Sequence, residues 1–173
     1  MAGQPDTSSS HELDSPPWRR VESTLMWTAE SIKAWYDERL APYGLTLSLA
    51  SLLAYVAEFG PVNQTRAAER MGQGRASTGS QVDRLEALGL LERTPDATDR
   101  RVWNLAVTDA GLAMAAQIAE CDAVIRAQLR QGISRHERQL LASLLMRLQR
   151  NISSRNTDNI SNDSSTNTEE VPT

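Results

Sequence analysis

The sequence has little of what enzymes and secreted proteins commonly rely on. Among 173 residues there is one cysteine, Cys121, one phenylalanine and two histidines. A single thiol excludes an internal disulfide framework and any cysteine-rich zinc site. His11 and His136 lie far apart, and with Cys121 they make no adequate ligand set, so no metal is expected. Lys33 is the sole lysine, and arginine carries the remaining positive charge. No apolar run approaches the ~20 residues of a membrane helix, which argues against a membrane partner. The N-terminus shows neither the basic start nor the apolar run of a secretory signal, so cytoplasmic residence is the expectation. No glycine-rich phosphate loop, nucleophile elbow or paired-carboxylate constellation is present, so neither catalysis nor a cofactor is expected.

What is there is a run of helical and turn signals. Residues 1–17 and 153–173 are rich in Ser, Pro, Asn, Thr and acids, and read as disordered tails flanking one domain at 18–152. A first helix over 18–41 carries Val21, Leu25, Ala29, Ile32, Tyr36 and Leu40 at three- and four-residue steps. Thr46 caps a second, largely apolar helix to about Glu58, and Asn63 caps a third over Gln64–Met71. Gly72-Gln73-Gly74 then separates it from a fourth helix over Arg75–Leu88. Leu90–Thr94 and Val102–Val107 read as two strands around a polar tip, that is, a β-hairpin. Thr108 caps a long helix to about Arg130, and Ser134 with Glu137 forms a capping box for a last one, striped with leucine.

The expected fold is therefore mainly α with a small β-hairpin wing. A winged helix-turn-helix lobe at about 46–108 joins dimerisation helices at about 18–41 and 109–152. Two short helices joined by a glycine turn, then a hairpin, suit DNA. The second helix enters the major groove, where each base pair shows its own donor and acceptor pattern. Arg75, Ser77, Thr78, Ser80, Gln81 and Arg84 are polar on that helix, while Val82, Leu85 and Leu88 face the core. Arg100 and Arg101 would sit at the wing tip. Residues 63–101 hold seven arginines against six acids, so binding requires the arginines to be sorted to one surface. The apolar stripes of the outer helices exceed what one lobe can cover, which points to a two-fold homodimer.

At residues 82–111 the chain resembles MarR-family regulators. Asp99-Arg100-Arg101 fits a D-x-R wing pattern, with Thr108 seven residues on, then an acid, alanine and glycine. The resemblance implies a homodimeric, cytoplasmic transcriptional regulator on double-stranded DNA with an inverted-repeat operator. It implies a repressor released by a small aromatic or phenolic effector, or by oxidation. It places Arg75, Ser77, Thr78, Ser80, Gln81 and Arg84 toward the major groove. Arg100 and Arg101 go toward the minor groove, with Asp99 holding the wing arginine. Gly79, Ser80 and Ala76 depart from the family pattern in the recognition helix.

Trp27, Trp35, Tyr36 and Tyr55 concentrate in the first two helices and are candidates to line an effector pocket, with Arg19, Arg20 or Arg39 near a ligand's charge. Cys121 reads first as a buried structural thiol. Two alternative functions remain: a winged-helix protein–protein interaction module, and a redox-sensing regulator using Cys121.

Overall fold

The computed structural model describes residues 16–96 and 103–163. The elements run α1 (Val21–Leu40), α2 (Leu47–Phe59), β1 (Val62–Asn63), α3 (Gln64–Met71), α4 (Arg75–Ala87), β2 (Leu91–Pro95), β3 (Trp103–Val107), α5 (Asp109–Leu129) and α6 (Arg135–Asp163). Short 3-10 turns at Pro17–Arg19 and Ala41–Tyr43 bracket α1. The chain falls into two compact units divided after Arg126.

In the first unit the starts of α2, α3 and α5 are fixed by side chains. Thr46 Oγ1 accepts from the Leu49 amide at 3.4 Å, and Asn63 Oδ1 from the Arg66 amide at 2.8 Å. Thr108 Oγ1 accepts from the Gly111 amide at 3.0 Å and donates to the Gly89 carbonyl at 2.7 Å. Each satisfies an amide that the first helical turn leaves without a partner, worth about 1 kcal/mol. Asp37 of α1 also accepts from the Leu47 amide at 2.7 Å and pairs with Lys33 at 2.6 Å. The Leu47 amide, then Lys33, hold the Asp37 carboxyl below its ordinary value. Gly72 ends α3 at φ 63°, a left-handed turn that side chains resist.

The core lies where α2, α4 and the sheet meet. Leu52, Leu53, Val56, Val82 and Leu85 are fully buried, with Leu91, Leu105 and Ile118 packed among them. Each such leucine stabilises the lobe by about 2 kcal/mol through burial alone. The expected hairpin forms from β2 and β3, and a third strand that was not expected, β1, joins it. The sheet has three antiparallel strands in the order β1-β3-β2, with Val62 opposite Leu105 and Leu91 opposite Val107. A two-residue strand has no period to read, so β1 left no signal in the sequence. Gly111 lies at the base of the wing, where a Cβ would stand 2.0 Å from the Leu90 carbonyl oxygen.

In the second unit, the Ser134 amide donates to Glu137 Oε2 at 2.7 Å and the Glu137 amide to Ser134 Oγ at 3.2 Å, completing the capping box. The ordered chain was expected to end at 152, but α6 continues to Asp163. Ser153 and Ser154 hydroxyls donate to the Gln149 and Asn151 carbonyls, which satisfies polar groups inside the helix. No described side chain of α6 is buried. The tails at 1–15 and 164–173 lie outside the described residues. Among the described residues no single helix is long and apolar enough to cross a membrane.

Candidate nucleic-acid interface and effector cavity

Helix α4 follows the Gly72 turn and packs one stripe inward, Thr78, Val82 and Leu85. Its opposite arc is exposed: Arg75, Ser77, Ser80, Asp83 and Arg84. Arg75 and Arg84 form no ion pair among the described residues. Two guanidiniums and two hydroxyls on an open helix face have the chemistry to contact phosphates and base edges.

Two residues expected on that face are elsewhere. Thr78 is fully buried, and its hydroxyl donates to the Gly74 carbonyl at 3.2 Å. It takes the place of a valine in the 78, 82, 85 stripe, where Val and Thr have the same shape. Gln81 is half-buried and braces the turn, its Nε2 donating to Gln73 Oε1 at 2.8 Å and to Ser77 Oγ at 3.3 Å. Asp99, Arg100 and Arg101 lie outside the described residues.

Sequence reasoning missed a clamp between α4 and the wing. Glu86 accepts from the Arg93 amide at 3.1 Å and pairs with its Nη1, while Arg93 Nη2 reaches Asp83 Oδ1 at 2.7 Å. The spacing of seven and ten residues across a turn offers no helical periodicity to detect it. Arg93 is thus removed from the count of arginines free to bind a partner.

A cavity of about 380 Å³ opens between α1, α2 and α5. Its apolar wall is Leu40, Leu47, Ala50, Ala54, Ala115 and Ile118; its polar groups are Tyr36, Ser51, Glu58, Cys121, Asp122 and Arg126. The Tyr36 hydroxyl donates to Asp122 Oδ1 at 2.8 Å, and Arg126 Nη2 meets Asp122 Oδ2 at 2.5 Å. Burial, then the bond to Asp122, raises the Tyr36 phenol above its ordinary value. Of the four aromatic candidates only Tyr36 lines this space. Trp27 is 74% exposed on the outer half of α1. Trp35 is half-buried outside the cavity. Tyr55 pairs with Phe59 at 5.1 Å between ring centroids, in a separate cleft with Arg66 and Arg70. The cavity's cation is Arg126, not Arg20 or Arg39; the Arg19 side chain lies outside the described residues. Cys121 is half-buried and lines the cavity, where full burial was expected.

A helix-turn-helix whose second helix leads into a three-stranded antiparallel sheet defines a winged-helix lobe. Residues 43–102 match the family model described as MarR family. The solved structures most usefully compared cover nearly all of their own length. The transcriptional regulator SlyA is 22% identical, with a TM-score of 0.72 over 78% of this chain and 95% of its own. The transcriptional repressor CouR, bound to a 23-mer DNA duplex, is 28% identical with a TM-score of 0.69 over 75% of this chain and 92% of its own. CouR from Rhodococcus jostii bound to p-coumaroyl-CoA is 25% identical, with a TM-score of 0.68 over 74% and 90%.

Proposed function

We propose that this chain is a cytoplasmic, homodimeric transcriptional regulator that binds an inverted-repeat operator in double-stranded DNA. The observation that carries the reading is the outward arc of α4, where Arg75, Ser77, Ser80 and Arg84 stand exposed beside a wing. The likeness to a repressor solved on DNA supports it. One α4 per half-site reads bases; Arg100 and Arg101, oriented by Asp99, reach the adjacent minor groove. The second copy covers the leucine face of α6 and the apolar outer half of α1. The protein acts as a repressor, released when a small aromatic or phenolic ligand enters the cavity beside Tyr36. Release requires the ligand to favour the lobe spacing that does not match successive major grooves.

The test is anisotropy on a duplex selected from a random-sequence pool by the full chain, alongside a mass measurement by light scattering. Arg84→Ala and Arg101→Ala should each weaken binding by about ten-fold or more while the dimer persists, since one bidentate base contact is worth roughly 1–3 kcal/mol. Wild-type binding should fall steeply with salt, as phosphate contacts demand and a protein–protein module does not. Normal binding by both variants overturns the assignment of these contacts.

A further inference from the structure

We infer that Arg93 is a positioning residue for DNA binding, anchored on Glu86 and offsetting part of the charge of Asp83, a carboxylate that the recognition helix carries on its outward arc. This rests on the DNA-binding reading above. Asp83 is i+3 from Ser80 and adjoins Arg84, so it belongs to the same outward arc, and its side chain is 69% exposed. Glu86 follows one turn later, 28% exposed. A carboxylate on an arc that meets a polyanion repels it, and like-charge juxtaposition at an interface costs several kcal/mol.

Arg93 sits on β2, directly across from Leu105 of β3. From there its guanidinium forks: Nη2 takes Asp83 Oδ1 at 2.7 Å, and Nη1 takes Glu86 Oε2. The other Glu86 oxygen accepts the Arg93 amide at 3.1 Å, so the same carboxylate fixes the strand and the side chain. Only arginine offers two diverging donors for two acceptors on neighbouring turns of a helix. The clamp therefore does two things. It offsets one of the two negative charges beside the reading face, and it sets the angle between α4 and the wing, the two elements that must meet adjacent grooves together. With its donors committed to Asp83 and Glu86, Arg93 takes no phosphate itself.

That division of labour separates this role from a direct DNA contact. Full-length wild type, Arg93→Gln, Asp83→Asn/Glu86→Gln and the triple variant are titrated with the selected duplex over a salt series, with thermal melting of each protein beside it. Arg93→Gln should weaken binding by about ten-fold or more with the salt slope unchanged; a lost phosphate contact would lower that slope by about 0.9. The triple variant, with both acids neutral and Arg93 gone, should recover to within about three-fold of wild type at a similar melting temperature. A slope that falls by about one unit in Arg93→Gln makes Arg93 a phosphate contact and overturns the inference. So does a triple variant that stays as weak as Arg93→Gln, or an Arg93→Gln that binds normally. The last result leaves the DNA-binding reading intact, whereas wild type that retains no duplex at low salt overturns both.

Discussion

In the winged lobe, Leu52, Leu53, Leu85 and Leu105 are at most 1% exposed. In α6, Leu140, Leu141 and Leu144 are 53%, 51% and 44% exposed, and Leu148 and Ile152 follow on the same helix. The two regions use the same side chain in opposite ways. The lobe closes its core within one chain, through α2, α4 and the sheet. Helix α6 presents an apolar face of a size that soluble monomers rarely leave open. A helix with no buried side chain among its described residues draws its stability there from propensity and caps, which are marginal in water. The difference teaches that the lobe closes its core in one copy, whereas the open leucines of α6 are the surface that the proposed second copy would cover.

That contrast can be broken or sharpened by substitution. The largest effect is expected from Leu53→Ala, which empties a fully buried site in α2 and should cost about 3–4 kcal/mol in urea unfolding. A loss below about 1 kcal/mol would show that the lobe core is not closed as described. Gly111→Ala comes next. Its Cβ meets the Leu90 carbonyl, a backbone atom that cannot swing aside, so a loss of about 2–3 kcal/mol is expected in the same assay. Leu144→Ala addresses the other side of the contrast. With α6 covered by a second copy, the wild-type unfolding midpoint rises with protein concentration, and the substitution lowers stability at equal concentration by about 1–2 kcal/mol. A midpoint independent of concentration in both proteins would mean that the leucines of α6 face water.

The smallest effect is a pH dependence in the lobe. The folded Asp37 carboxyl is depressed by the Leu47 amide and by Lys33. Its contribution is therefore fully present above the ordinary aspartate value near 3.8 and is lost as pH falls through the folded value. Asp37→Asn should melt slightly below wild type at pH 7, and the gap should close as pH falls through the depressed folded value. A gap that widens on acidification would reverse the assigned sign.

Much of the lobe was legible because its signals are local. Thr46, Asn63 and Thr108 in the lobe, and the Ser134–Glu137 pair in the second unit, are caps whose geometry depends on three-residue spacings, and each bonds as the spacing requires. The exposed arginines of α4 were legible from helical periodicity. What was missed depends on contacts between segments. The pairing of Val62 with Leu105 joins residues 43 positions apart, and the Arg93 clamp crosses from helix to strand. Thr78 was misplaced because its polarity outweighed its position, although the step from 78 to 82 to 85 marks an inward stripe. Of the aromatics named for a pocket, Tyr36 lines the cavity while Trp27, Trp35 and Tyr55 lie outside it. Abundance in α1 and α2 was visible, but the turn of each helix that meets α5 was not.

The Gly111 joint has a mechanical consequence. With the Leu90 carbonyl against Gly111, and with Thr108 bonded to both Gly89 and Gly111, α5 is welded to the wing rather than hinged on it. A helix of 21 residues is a rod of roughly 30 Å. Rotating that rod by about 5° at its root carries its far end by roughly 3 Å, and the reverse holds equally. Asp122 and Arg126 ride on the same helix, so the cavity lining and the root of the wing share one continuous element with no loop between them.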